Sequence, residues 1–350
     1  MSQSLALTKS FNSLVLYSQE GFFSTQMKNI DPFIKNTSLF SYFLALELVM
    51  FYLPLGDAWL HESFHQSIMK VHGIESYNEI YEFQFFSSTI SVSHVKDEEL
   101  GLLKAKSNPD FVRLSAAGIE GTTLLVTEMV QQAFFRREPW FISRLSHKFI
   151  NFLNSSLYIQ MCTTSEAEKT TIKMNESEGD DVQSRDFTGL DFTAWVYDLF
   201  RPDIPYGARG LHPNGNIGIA RYILPSQLTS EEMEYLKLQA NLSFLNFIDT
   251  SYLPFDLSIQ VAEGYPIRTE GNLRYYMTSF GNSIQANLYL QRQEINFLLS
   301  YHTFTNKNNF FPGLEIMLVE YPIEWLGFNL KIHSKTNGLA STKRTKLHNW

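Results

Sequence analysis

The sequence predicts an α+β protein, with a helical half followed by an antiparallel β-meander half, and three observations carry this prediction. Long apolar runs with helical spacing fill residues 1–162. Beyond residue 255 apolar and polar residues alternate with period two, which is typical of strands. Between these patterns, residues 163–185 form an acidic stretch rich in Ser and Thr. We expect that stretch to be an exposed linker.

The apolar runs of the first half predict four helices, at 38–72, 97–106, 113–136 and 140–161. An aromatic and β-branched segment at 79–95 indicates a bent strand or a hairpin. The region 186–254 should hold a short helix near 191–200 and a Gly/Pro-rich loop at 201–218. Thr229 then begins another helix, because Thr229 and Glu232 have the spacing of a capping box.

The meander is predicted over residues 255–336, and the alternation ends in the tail, residues 337–350. The strands have one apolar face, which includes Leu288 and Leu330, and one polar face, which includes Asn287 and Asn329. Such a sheet can pack its apolar face on the helical half, or it can form a barrel with lipid outside and water inside. Four or five visible strands are too few to close a barrel alone, which favours the packed sheet.

The composition excludes several classes of site. With Cys162 as the single cysteine, the chain can build no internal disulfide, no cysteine zinc site and no iron–sulfur cluster. A net charge of −8 without a basic block argues against a nucleic-acid partner. Charged residues make up only 18% of the chain and aromatic residues 15%, which favours a heavily buried or membrane-associated fold.

Two stretches are nearly long and apolar enough to span a bilayer, residues 38–60 and 114–135, but both contain acidic residues. No signal peptide is recognisable at the start of the sequence. A location in or near a membrane or the cell envelope is therefore one expectation.

One motif carries specific chemistry: residues 61–65 read HESFH and match HExxH. On a helix, positions i and i+4 lie on one face, so His61 and His65 can reach a single Zn²⁺. Zinc lowers the pKa of a bound water, and Glu62 beside it can accept the proton as general base. The motif therefore predicts zinc-dependent attack of water on a carbonyl.

A catalytic zinc needs a third protein ligand. Glu120 is the first candidate, because it is a carboxylate in an otherwise apolar helix rich in small residues that can pack closely. Asp191 is the second candidate, although a helix cap is the more ordinary role for an acid at the start of a helix.

Three further residues are expected either to contact substrate or to orient the metal ligands. Asp57 precedes His61 by one turn and could orient an imidazole, and Glu128 could do the same from the Glu120 helix. His212 lies in the glycine-rich loop, and loops of this kind commonly line active sites.

HESFH resembles the active-site helix of the zincin metallopeptidases, which implies His61 and His65 as zinc ligands and Glu62 as base. In zincins that use a downstream glutamate, Glu120 would complete the site. The order of segments is also similar to the site-2 protease class of intramembrane metallopeptidases. There, residues 117–119 (AGI) would match an Ala-Gly-Pro-like turn and residues 190–192 (LDF) a Leu-Asp-Gly segment, with Asp191 as third ligand.

The sequence thus predicts a zinc-dependent metallopeptidase with a peptide or protein substrate. The rival hypothesis is a non-enzymatic envelope or outer-membrane barrel-type protein in which the HExxH run is structural.

Overall fold

A computed structural model describes residues 2–51, 53, 55–82, 89–135, 142–177, 185–187, 189–212, 218–252, 257–260, 266–293, 295–306, 309–323 and 326–335. The chain divides into two compact units. The first contains residues 1–126, 142–243 and 277–280, and the second contains residues 127–141, 244–276 and 281–350. The predicted tail at 337–350 lies outside the described residues.

The α+β class is confirmed, with helices dominating the first half and a meander of strands the second. The helices are α1 (Ser2–Gln26), α2 (Pro32–Met50), α3 (Asp57–Val71), α4 (Asp97–Lys106), α5 (Asn108–Phe135), α6 (Ile142–Met161), α7 (Ser165–Ser177), α8 (Asp191–Phe200) and α9 (Ser230–Ser243). Strands β1 (Tyr77–Glu82) and β2 (Thr89–Ser93) form the expected hairpin. Helix α5 belongs to the first unit up to Val126.

The helix predicted at 38–72 is wrong in one respect, because it is two helices, α2 and α3. Leu55 between them has a positive φ of 68°, which is incompatible with a continuing helix. Gly56 is the N-cap of α3, and a Cβ at this position would lie 2.1 Å from the Met50 carbonyl oxygen. The chain can therefore turn this closely only at a glycine.

Two helices had not been predicted. Helix α1 is held by its apolar face, where Leu16 joins a buried cluster with Leu39, Phe43, Met50 and Ile142. Helix α7 fills Ser165–Ser177 inside the stretch expected to be an exposed linker, so that expectation is wrong for these residues.

Helix α1 also fixes the start of α6. The Glu20 carboxylate accepts hydrogen bonds from the backbone N–H groups of Ile142 at 2.7 Å and Ser143 at 2.9 Å. These N–H groups have no partner within α6, and a carboxylate at a helix N-terminus is electrostatically favourable. Glu20 is thus a cap supplied from 122 residues away in sequence.

The β1–β2 hairpin positions the start of α8. The Phe187 N–H donates to the Val92 carbonyl at 2.6 Å, so the segment before α8 runs beside β2. Arg185 and Arg221 both bind the Asp97 carboxylate, at 2.6 and 3.0 Å, which fixes the same segment to α4. Together these contacts determine where Asp191 enters the helical unit.

The capping box predicted at the start of α9 is confirmed. The Glu232 carboxylate accepts from the Thr229 backbone N–H at 2.8 Å, and the Thr229 hydroxyl accepts from the Glu232 N–H at 3.2 Å. Arg201 also binds Glu232, at 2.6 Å, and so connects the end of α8 to this cap.

The second unit contains a sheet of six strands in sequential order. They are β3 (Leu257–Gln260), β4 (Pro266–Thr278), β5 (Gly281–Arg292), β6 (Ile295–Thr305), β7 (Phe310–Ile323) and β8 (Leu326–Lys335). The pairs β3–β4, β5–β6, β6–β7 and β7–β8 are antiparallel.

The expected burial of the two faces is wrong in the central strands, where the polar face is the buried one. Asn287, Ser300 and Glu315 are 6%, 0% and 6% exposed. Leu288, expected to pack on the helices, is exposed, and Leu314 on β7 is 46% exposed. The side chains of Asn329 and Leu330 lie outside the described residues.

The buried polar face is stabilised by hydrogen bonds between strands. Ser300 donates to Asn287 Oδ1 at 2.6 Å, and Asn287 donates to Asn272 Oδ1 at 2.9 Å. Satisfied polar groups can be buried without a large desolvation cost. Period two therefore identified the strands but not the face that is buried.

Among the helices that the structure describes, none is both long enough and apolar enough to cross a bilayer.

Candidate metal site

Helix α3 presents the HExxH residues from a firmly packed element. Leu60, Phe64 and Ile68 are 0%, 1% and 5% exposed, and they anchor α3 in the first unit. His65 is buried, whereas His61 and Glu62 are partly exposed. The motif therefore lies on a firmly packed helix, and its His61 and Glu62 side chains remain partly accessible to solvent.

Asp191, at the start of α8, completes a group with the two histidines. Its Oδ2 atom lies 3.2 Å from His61 Nε2 and 3.6 Å from His65 Nε2. The three residues are one of two groups in the described part of the chain whose ligand atoms all lie within 4.8 Å of one another. We call His61, His65 and Asp191 the HExxH cluster.

The dimensions of the HExxH cluster fit a zinc ion. Ligand atoms about 2.1 Å from a tetrahedral Zn²⁺ are separated by about 3.4 Å. The two histidine–carboxylate separations, 3.2 and 3.6 Å, bracket that value. Two imidazoles and one carboxylate also form the three-ligand set of a catalytic site that keeps its fourth position open.

A backbone carbonyl of α5 orients the ring of His65. Its Nδ1 lies 2.6 Å from the Leu114 carbonyl oxygen in α5 and donates a hydrogen bond to it. This bond directs Nε2 towards Asp191, and such a carbonyl contact is the usual way to fix a ligating imidazole.

Helix α5 approaches His61 at a glycine. A Cβ at Gly118 would lie 2.1 Å from His61 Nε2, closer than any side chain allows. Gly121, one turn further along, faces the Phe64 ring in the same way, with a would-be Cβ contact of 2.8 Å. The small residues at these two positions are therefore required by the close packing of α5 on α3.

Tyr158 of α6 contacts both the carboxylate of Asp191 and the backbone next to it. Its hydroxyl oxygen lies 3.2 Å from Asp191 Oδ2, 3.0 Å from the Gly189 carbonyl and 3.1 Å from the Asp191 N–H, which donates to it. Burial and the neighbouring Asp191 charge raise the pKa of Tyr158 well above its ordinary value. The phenol is therefore neutral and can donate a hydrogen bond.

The charges in the HExxH cluster are strongly coupled. Burial opposes the ionised form of Asp191, but the charges and hydrogen bonds of His65 and His61 outweigh it and hold the Asp191 pKa well below its usual range. Burial also lowers the pKa of His65, yet Asp191, Glu62 and the Leu114 carbonyl raise it to about 9. The raised pKa of His65 therefore favours its protonated form beside the Asp191 carboxylate.

Burial raises the pKa of Glu62 to about 7, and Asp191 contributes in the same direction. His65 and His61 act against this rise. A carboxylate with a pKa near 7 is suited to accept a proton at neutral pH and to release it again.

The structure does not bring Glu120, the first candidate for a third ligand, into the HExxH cluster. Its carboxylate binds Arg113 on the same helix, with Nη2–Oε1 at 2.6 Å and Nε–Oε2 at 3.0 Å. Asp191, the second candidate, lies in the HExxH cluster instead. The expectation that Asp191 caps a helix is wrong, because Leu190 is the N-cap of α8 and Asp191 is its first residue.

The other predicted residues lie elsewhere. Asp57 is buried and contacts Asn12, Asn151 and His147. Glu128 lies in the part of α5 that belongs to the second unit. His212 is buried and its backbone N–H donates to Gly218, and it is in neither metal-ligating group of the described residues.

Sequence reasoning had missed Tyr158 and the role of Gly118. Tyr158 gave no signal, because a tyrosine in an amphipathic helix is ordinary. Gly118 was recognised as a small residue that allows close approach, but its partner, the His61 ring, depends on how α5 lies against α3.

Comparison of the chain with protein-family models, curated proteins and solved structures finds no match.

Proposed function

We propose that the protein is a zinc-dependent hydrolase that cleaves peptide bonds in a peptide or protein substrate. The observation that carries this proposal is the position of Asp191. From 130 residues away in sequence, its carboxylate meets both histidines of the HExxH motif at metal-ligand spacing. Asp191 is also the ligand that the resemblance to the site-2 protease class implies.

His61, His65 and Asp191 would hold the zinc. A bound Zn²⁺ supplies a water acidified to a pKa of about 7 and polarises a substrate carbonyl. Glu62, between the two histidines in sequence, takes the proton from the attacking water and delivers it to the leaving amine. Burial raises the pKa of Glu62 to about 7 when no metal is bound, which supports its role as a group that both accepts and releases protons.

Other side chains serve as positioning groups in this proposal. The Leu114 carbonyl fixes the His65 ring, and the Tyr158 hydroxyl fixes the Asp191 carboxylate. Partial exposure of the His61 and Asp191 side chains, at 16% and 12%, leaves an approach for substrate.

The test is Glu62→Gln, which keeps the size of the side chain but removes the base. We expect hydrolysis of labelled casein and of a peptide mixture, followed by mass spectrometry, to fall about 10²–10⁴-fold, while zinc content stays at the wild-type value. Glu120→Gln is the matched control, because this carboxylate binds Arg113 instead, and it should retain activity.

Two outcomes would contradict the proposal. One is zinc-loaded wild-type protein that cleaves neither substrate. The other is a Glu62→Gln variant that is folded, zinc-loaded and fully active.

A further inference from the structure

A second group of ionisable side chains lies in the interior of the first unit, formed by α2, α3 and α6. It contains Glu47, Asp57 and His147, whose ligand atoms all lie within 4.8 Å of one another. The three residues are between 0% and 2% exposed. We call them the α6 cluster, and none of them belongs to the HExxH cluster.

The α6 cluster is ordered by hydrogen bonds. His147 Nδ1 lies 2.9 Å from Glu47 Oε2 and 3.8 Å from Asp57 Oδ2. Asn12 and Asn151 donate to the two oxygens of Asp57, at 3.0 and 2.8 Å. Both carboxylates are thus held close to one imidazole nitrogen.

Within the part of the chain that the structure describes, the α6 cluster has too few hydrogen-bond donors for its acceptors. Glu47 Oε1 and Asn151 Oδ1 are buried and have no hydrogen-bond partner there. Leaving buried acceptors unsatisfied is unfavourable. Rotating the Asn151 amide does not remove this shortage, because it would direct the amide oxygen, an acceptor, at the Asp57 carboxylate.

When both carboxylates are ionised, the charge of the α6 cluster is also unbalanced. Two carboxylates and one imidazolium sum to −1, and a buried charge without compensation is costly. A divalent cation beside a neutral imidazole would bring the sum to zero.

The geometry points to a second metal site, in which Glu47, Asp57 and His147 bind a divalent transition ion. Ligand atoms around such an ion are about 3.0–3.4 Å apart for octahedral to tetrahedral geometry, and the observed separations of 2.9 and 3.8 Å bracket this range. Two carboxylates with one imidazole suit Zn²⁺ or Mn²⁺ better than the all-oxygen cations Ca²⁺ and Mg²⁺.

Burial assigns the site a structural role. Catalytic sites keep a position open to water or substrate, whereas structural sites are closed by protein. The ion would join α2, α3 and α6 in the interior, one turn before the HExxH motif on α3. This inference goes beyond the proposed hydrolase activity and does not depend on it.

The test counts metal ions per chain. Full-length protein is stripped with chelator, equilibrated separately with Zn²⁺ and Mn²⁺, desalted and analysed by elemental analysis. With the ion that the α6 cluster prefers, we expect His61→Ala/His65→Ala to retain one equivalent. Adding Glu47→Gln to that variant should remove it.

Glu47→Gln is chosen because it preserves shape and leaves Asp57 and His147 as a balanced pair, so the variant should fold. Glu232→Gln is the control, since this buried carboxylate binds Arg201 in the α9 cap, and it should leave the metal content unchanged. Circular dichroism checks that each variant is folded.

A folded His61→Ala/His65→Ala protein that binds neither ion would overturn the second site, whether or not Glu47→Gln folds. So would an equivalent that persists in folded Glu47→Gln. Failure of the hydrolase proposal would instead appear as missing catalysis or as loss of zinc from the HExxH cluster alone.

Discussion

The HExxH cluster and the α6 cluster are built from the same kinds of side chain but differ in composition and exposure. The first has two imidazoles and one carboxylate, with the His61 and Asp191 side chains 16% and 12% exposed. The second has one imidazole and two carboxylates and is almost completely buried. Asp57 and His61, one turn apart on α3, belong to different clusters. This difference in burial and ligand type is the basis for proposing an open reactive site at the first cluster and a closed structural site at the second.

The largest effect in this comparison is expected for Asp191→Asn, which weakens a ligand of the HExxH cluster only. Removing groups that merely support a metal ligand costs about 10–100-fold in affinity, so loss of a ligand charge should cost more than about 100-fold. Zinc titration against a competing chelator measures this. Glu120→Gln should leave the affinity unchanged, and an equal loss in both variants would contradict the assignment of Asp191.

The α6 cluster should be recognisable by the pH dependence of metal-free stability. Burial lowers the pKa of His147, but Glu47 and Asp57 raise it to about 9, above the ordinary 6.5. A raised histidine pKa contributes stability that is fully present below pH 6.5 and is lost as the pH rises through about 9. The contribution is on the order of 3 kcal/mol.

Denaturant unfolding of wild type and His147→Gln with chelator, between pH 6 and about 9.5, measures this contribution. The stability difference between the proteins should shrink as the pH rises. His65 titrates in both proteins and cancels from the difference. A difference independent of pH would show that His147 is not charged in the fold.

Gly118→Ala tests how far the HExxH cluster depends on the close packing of α5 against His61. The added methyl group would lie 2.1 Å from His61 Nε2, so the ring must move and zinc affinity at the HExxH cluster should fall at least about tenfold. The control is Gly101→Ala in α4, where the nearest neighbour of a new Cβ is 3.9 Å away. That change should be neutral or stabilise by up to about 1 kcal/mol. Equal zinc affinities in the two variants would contradict the close contact.

The smallest effect is expected for Tyr158→Phe, which removes the hydroxyl that supports Asp191. Zinc affinity should fall by about tenfold, at the low end of the range for such supporting groups. The same titration measures it, and retention of wild-type affinity would mean that His61 and His65 alone orient Asp191.

Much of the helical unit could be predicted because the signals are local. The helix at 97–106, the helix at 191–200 and the Thr229 cap all depend on neighbouring residues. The HExxH spacing is local as well. The helix break before Gly56 also had a local signal that was not used, since Pro54 and Gly56 both disfavour a continuing helix.

The third ligand could not be chosen because it depends on long-range contacts. In the fold, Asp191 is positioned beside the histidines by the pairing of the Phe187 segment with β2, whose partners are about 95 residues apart in sequence. For Glu120 a local signal existed and was not used, since Arg113 lies seven residues earlier on the same helix. In the sheet, alternation predicts strands equally well whichever face is buried, so the buried Asn287–Ser300 face could not be anticipated.

The residues of the two clusters lie at different positions along the chain, so the ribosome completes one set before the other. His147 completes the α6 cluster 44 residues before Asp191 (191 − 147 = 44) is added. At about 5–20 residues per second, the ribosome adds Asp191 about 2–9 s later. During that interval every residue of the α6 cluster has been synthesised, while the HExxH histidines still lack their carboxylate. The two proposed metal sites are therefore completed in the order set by translation.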